Sequence, residues 1–303
     1  MDKVSSRHVA WIDIESPNER SIADLASKYG IHPLAAQELL VATYRPKLED
    51  YEDHLYLVLH FPLFDKKTRA TLSREIDFII FPYTLITVHY EDMPQLDDFQ
   101  QFLGGHEAVR ERTFGHSSGK LLYHIIGQLF SVSKKELDHI ESKIEGVQEA
   151  IFNGNERRVL REVALLRRDL LNFQKALKPQ QAILNSLTEY GKRFFGDEAV
   201  PYLHDINGEY QQVWNAVQDL RETLDVLYET TISLLSATTN EAMKVLTAFS
   251  VVFLPLQVIL NVFGMNIENL PLSNEPNAFW VITGFNLFVA LAIATYLKRR
   301  KWL

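Results

Sequence analysis

Cysteine is absent from the 303-residue chain. That excludes a disulfide framework, a thiolate metal site and a cysteine nucleophile. It is compatible with a cytoplasmic setting without requiring one. Basic charge is scarce: 31 Lys and Arg stand against 39 Asp and Glu, a formal net charge of −8. No nucleic-acid partner is expected from that balance, because such binders carry a basic face. The N-terminal stretch MDKVSSRHVAWIDIESPNER has no apolar core of signal-peptide type. Any membrane targeting must then come from internal helices. The sequence shows no nucleophile–base pair, phosphate loop or H-E-x-x-H motif, so an enzyme is not expected.

Charge is also missing locally. Between Lys244 and Lys298 the charged residues are Glu268 and Glu275 alone. Val245 to Phe263 is 19 residues without a charge, and Ala278 to Leu297 is 20 more. A membrane span needs about 20 mostly apolar residues, so both segments qualify. A buried hairpin in a soluble domain is the alternative. Four consecutive basic residues, Lys298 to Lys301, follow the second segment, and the loop between the two has no Lys or Arg. Basic flanks favour the cytoplasmic side. The expectation is an integral protein of the cytoplasmic (inner) membrane with two spans in a lipid bilayer, both termini inside and the loop outside. Trp280 and Trp302 lie near opposite ends of the second span, where interfacial aromatics are common.

The rest of the chain reads as an α+β N-terminal domain followed by long helices. Residues 8–14, 54–61, 75–81 and 85–90 have strand character, the last two joined across Pro82, Tyr83 and Thr84 as a hairpin. Ser16, Pro17 and Glu19 read as N-cap, first-turn proline and capping-box acid of a helix. The histidines are scattered, with no H-x-x-x-H pair and no acid at ligand spacing, so they read as core or surface residues and not as a zinc site. Residues 118–152 and 156–190 have helical periodicity, separated by a turn at FNGNE. A third helix begins near Leu203 and runs through Pro255, where a kink is expected, to about Phe263. Some 55–60 residues would span roughly 85 Å, too long for one bilayer, so about two-thirds forms a cytoplasmic stalk. The segments are 1–115 (α/β domain), 116–200 (antiparallel helix pair), 201–244 (stalk), 245–263 (first span), 264–277 (external loop), 278–297 (second span) and 298–303 (basic tail).

Along the third helix one face is marked by Glu222, Asp225, Glu229, Ser233, Ser236, Asn240, Met243, Thr247, Ser250, Leu254, Gln257 and Asn261, always three or four apart. Such spacing keeps a constant direction on a helix. The face is acidic at its start and neutral and polar within the span. It reads either as a seam between packed helices, where Ser and Thr are ordinary, or as the wall of a polar path. Gln257 and Asn261 favour the path, since large amides make poor seams. Two spans cannot enclose such a path, so several copies would share it. A neutral lining suits hydrated Mg²⁺, which gives up its waters reluctantly and must be bound weakly enough to leave. Asp225 and Glu229 could concentrate cations at the inner mouth, and Met243 and Leu254 could close the path by dewetting.

At the end of the first span stands FGMN, residues 263–266. With TTNEAMKVLT (238–247), FLPLQ (253–257), VPYLHDINGEYQQV (200–213), WIDIESPNE (11–19), HPLAAQELL (32–40) and RPKLEDYEDHLYLVL (45–59), it resembles the CorA family of magnesium transporters over essentially the whole chain. The resemblance implies a funnel-shaped homopentamer whose first spans line a pore for hydrated divalent cations. It implies a selectivity ring of Gly264, Met265 and Asn266, with Asn266 holding hydrated Mg²⁺. A polar ring falls at Asn240, a hydrophobic gate at Met243, Leu246 and Leu254, and a further pore position at Gln257. Mg²⁺ is then both transported and regulatory, with sensing acids at Asp205, Asp65, Glu229 and Asp225. Phe263 replaces the usual tyrosine, Leu272 the usual acid after the proline, and His204 an arginine before Asp205. The zinc-carrying ZntB group in the same fold commonly varies the middle residue of the triplet; an intact Met265 favours Mg²⁺, with Co²⁺ or Ni²⁺ also passing. The remaining alternative is a membrane-anchored oligomeric scaffold without transport.

Overall fold

A computed structural model describes residues 2–65, 68, 70–152, 156–265, 276–300 and 302. The chain divides into two compact units, Met1–Tyr228 and Glu229–Leu303.

The first unit is built on six strands: β1 Asp2–Ser5, β2 Ala10–Glu15, β3 Lys47–Tyr51, β4 His54–Asp65, β5 Ala70–Ile80 and β6 Thr84–His89. Their order across the sheet is β1-β2-β6-β5-β4-β3. β2 and β6 pair parallel; the other neighbours pair antiparallel. Both faces of the central strands are covered, which explains why β4 is a nearly continuous apolar run and not an alternating one. Leu55, Leu57, Leu59, Phe61 and Leu63 enter one core, while Tyr56 and Val58 enter a smaller one. The β5–β6 hairpin turns over Pro82 and Tyr83, closed by Phe81 N–H to the Thr84 carbonyl at 2.9 Å.

Helices α1 Glu19–Tyr29 and α2 Pro33–Glu38 supply Ile22, Leu25 and Ala35 to the smaller core. The cap of α1 is Asn18, and not Ser16 as the sequence suggests. Asn18 is extended and accepts from Ser21 N–H, while Ser21 accepts from Asn18 N–H. Glu19 is thereby the first helical residue, an acid at the positive end of the helix dipole. Ser16 instead takes φ 51° and donates its N–H to the His89 carbonyl.

Helices α3 Pro94–Gly105, α4 Glu107–Phe114, α5 Ser118–Phe152, α6 Glu156–Leu177 and α7 Gln180–Phe195 follow. α5 and α6 pack on the sheet. Three helices thus occupy the stretch read as a pair. Pro179 lacks the N–H that would continue α6, and Gln180 then starts α7 with its side chain bound to both N–H and C=O of His60. Nor does a new core begin near residue 115. Gly115 has φ 58°, but Leu121, Leu122, Ile125 and Phe130 of α5 enter the same core as Trp11 and Phe78 of the sheet.

A 3-10 turn, Asp197–Ala199, leads into α8, Val200–Phe263, one helix of 64 residues that continues through Pro255. Leu203, Ile206, Tyr210, Val213 and Val217 anchor its first part in the main core. The second unit contains the rest of α8 and α9, Ala278–Arg299, both long and apolar enough to cross a membrane.

Candidate ion pathway and acidic sites

Within the second unit, α8 has one shielded edge. Ala248 is buried and Val252, Pro255, Leu256 and Ile259 are half-buried. Asn240, Met243, Leu246, Thr247, Ser250, Leu254, Gln257 and Asn261 are all exposed. At 3.6 residues per turn, the stripe from Thr247 to Asn261 lies about 160° round the helix from that edge. Thr247 Oγ1 donates to the Met243 carbonyl at 2.7 Å and Ser250 Oγ to the Leu246 carbonyl at 3.0 Å. Each hydroxyl proton is committed to the helix's own backbone, so the oxygens offer lone pairs to whatever the stripe faces.

The helix closes at Gly264, whose N–H is shared between the Leu260 and Asn261 carbonyls at 2.9 and 3.1 Å. Gly264 keeps a negative φ; a Cβ there would meet the Leu260 carbonyl oxygen at 3.3 Å. Met265 is exposed. Asn266, with Glu268, Leu272 and Glu275, lies outside the described residues. Asn286 on α9 is a polar residue the sequence reading passed over. It is buried, and neither amide atom has a hydrogen-bond partner among the described residues. Its signal was a lone amide in a charge-free run.

The acids expected to sense Mg²⁺ sit in different settings. Asp205 Oδ2 accepts from Tyr123 OH at 2.7 Å. That bond first, then burial, pushes the Tyr123 hydroxyl up to about 12, so it remains a donor. Asp65 accepts from Arg74 at 2.6 Å and from Thr68. Asp225 faces Arg167 and Arg221 at 3.3 and 3.8 Å. Glu229 is exposed at the start of the second unit. None of these four belongs to a group of three metal-ligating side chains among the described residues. Among the described residues, the cluster of three metal-ligating side chains is Asp13, His89 and Asp97. The sequence reading missed it because strand pairing, and not sequence spacing, brings these residues together.

A mixed-sheet α+β unit is followed by α8, whose end is the first of two C-terminal helices long and apolar enough to cross a membrane. Residues 6–299 match the CorA-like Mg²⁺ transporter protein family, and the chain belongs to it. The cobalt/magnesium transport protein CorA of Thermotoga maritima is 27% identical over 303 residues, 97% of this chain and 83% of that protein. The structure of the CorA magnesium transporter from Methanocaldococcus jannaschii matches with a TM-score of 0.85 at 23% identity, covering 100% of this chain and 95% of that one. The zinc transport protein ZntB of Yersinia enterocolitica is 20% identical over 298 residues, 97% of this chain and 88% of that protein.

Proposed function

We propose that the chain carries Mg²⁺ across a membrane as a homopentamer, through an axial path lined by α8, and that Mg²⁺ on the cytoplasmic side closes it. The observation that carries this reading is the exposed polar stripe on α8, opposite the helix's shielded edge. Polar side chains within a span are costly unless they face a bundle interior or water. Two spans per chain cannot form a ring, so several copies must.

The chemistry of the stripe suits an ion that keeps its water. Mg²⁺ dehydrates reluctantly, so it presents water hydrogens to the wall. The Thr247 and Ser250 oxygens, with the amide oxygens of Asn240, Gln257 and Asn261, can accept them. A neutral wall holds a divalent ion weakly enough for it to leave. Met243, Leu246 and Leu254 are apolar and exposed on or beside this face, where a narrowed ring would expel water and stop conduction. Gly264, Met265 and Asn266 form the outer ring in this reading. Glu229 supplies negative charge near the inner mouth; Asp225 supplies less, because Arg167 and Arg221 offset it. Asp205 is the preferred sensing acid, since Asp65 is already engaged by Arg74 and Thr68. Its hard carboxylate oxygens suit Mg²⁺. Both termini lie on the cytoplasmic side in this arrangement.

A Zn²⁺ transporter in the same fold is the second reading, favoured by the ZntB likeness and opposed by the intact Met265. Flux into proteoliposomes, compared for Mg²⁺, Co²⁺, Ni²⁺ and Zn²⁺, separates them. Mg²⁺ flux is expected to dominate, and Asn266→Ala to reduce it at least tenfold while the oligomer survives. Zn²⁺ flux without Mg²⁺ flux would establish the second reading. No metal flux at all would leave a scaffold whose stripe is a seam.

A further inference from the structure

Asp13, His89 and Asp97 play no part in the path described above. The parallel pairing of β2 with β6 sets Asp13 opposite Thr87 and Glu15 opposite His89. Asp13 and His89 therefore share one face near the C-terminal ends of both strands. The chain leaves β6 and enters α3, whose first turn contributes Asp97. Asp13 and His89 are 5% and 0% exposed, and Asp97 is half-buried. One ligand atom from each lies within 4.8 Å of the others.

Surrounding bonds hold the donors in place. Trp11 Nε1 donates to Thr87 Oγ1 at 2.9 Å, and Thr87 Oγ1 donates to Asp13 Oδ1. His89 Nδ1 is 2.7 Å from the Glu91 carbonyl oxygen, and Nε2 is 3.1 Å from Asp13 Oδ2. Both ring nitrogens thus face acceptors. The Glu91 carbonyl facing Nδ1 is the kind of support that a metal-binding histidine uses to point Nε2 at its ion, and Nε2 points here toward the Asp13 carboxylate.

We infer that Asp13, His89 and Asp97 form a binding site in the α/β unit for a divalent transition ion, Zn²⁺, Co²⁺ or Ni²⁺. Imidazole suits these ions, whereas Mg²⁺ prefers an all-oxygen set. Ligand bonds of about 2.0–2.1 Å require the three atoms to close together. Asp97 supplies that movement, because its half-exposed side chain stands in the first turn of a helix. Its open side leaves a position for water.

The test is Zn²⁺ stoichiometry on the metal-stripped, full-length chain in detergent, with excess Mg²⁺ present to fill Mg²⁺ sites. Wild type should retain one Zn²⁺ per chain more than Asp97→Asn or His89→Gln, and Zn²⁺ should raise the apparent Tm of wild type only. Asp97→Asn decides the matter if His89→Gln fails to fold, since Asp97 is half-exposed. Equal stoichiometry in wild type and a folded Asp97→Asn would overturn the site. Ion flux is not the readout, so failure here leaves the proposed pathway untouched.

Discussion

Asp205 carries its charge beside a tyrosine hydroxyl, at 2.7 Å. A Mg²⁺ ion recruiting this carboxylate must compete with that bond. Hydrogen bonds to charged groups are worth about 1.5–3 kcal/mol, and solvent screening at an exposed acid lowers this to about 1 kcal/mol. Tyr123→Phe should therefore make internal Mg²⁺ inhibit at roughly fivefold lower concentration, and Asp205→Ala should abolish the inhibition. Flux measured against internal Mg²⁺ reads both, and unchanged curves would remove Asp205 from the sensing role. A second residue-scale effect concerns stability. Burial, then the charge of Glu75, push the Asp77 carboxyl from 3.8 up to about 7. Tyr56 and Tyr90 hydroxyls donate to its Oδ2 at 2.9 and 2.8 Å. The folded chain keeps this proton where the unfolded chain has lost it, so stability falls between about pH 4 and pH 7 and the penalty is complete above that window. Asp77→Asn imitates the protonated form. Its apparent Tm should exceed that of wild type by several degrees near about pH 8, with the gap closing near about pH 4; a gap independent of pH would contradict this.

At the scale of elements, what was legible in the sequence followed from local periodicity. The β5–β6 hairpin shows in its flanking apolar runs and in Pro82-Tyr83. The stripe on α8 shows because a helix repeats its direction every three or four residues, and its exposed positions need no knowledge of the rest of the fold. β1 and β3 were not legible. They are edge strands whose polar residues, DKVS and KLEDY, are exposed or only half-buried; each pairs with the next strand through a short hairpin, so it was the lack of an apolar alternation that hid them. Asp13 and His89 escaped for a different reason: the pairing of β2 with β6 joins strands distant in sequence. The cap of α1 was misplaced by two residues because Ser16 and Asn18 are both good caps, and the choice rests on backbone geometry. Element packing yields its own prediction. A Cβ on Gly119 of α5 would lie 2.9 Å from Cγ of Phe195 at the end of α7. Overpacking costs about 1–3 kcal/mol, so Gly119→Ala should lower the apparent Tm by about 2–12 °C. Gly127→Ala on the same helix, with nothing within 4 Å of the added carbon, should not lower it.

At the scale of the whole molecule, the absence of cysteine becomes useful. Single cysteines can be placed along α8 in the otherwise wild-type chain, reconstituted, and exposed to a charged thiol reagent during Mg²⁺ flux. This tests most directly whether the polar stripe lines the ion path. Modification at Ser250, Leu254 and Gln257 should block flux, while modification at Val252, Leu256 and Ile259, on the shielded edge, should leave most of it. Block centred on the shielded edge, or indifferent to position, would contradict the account.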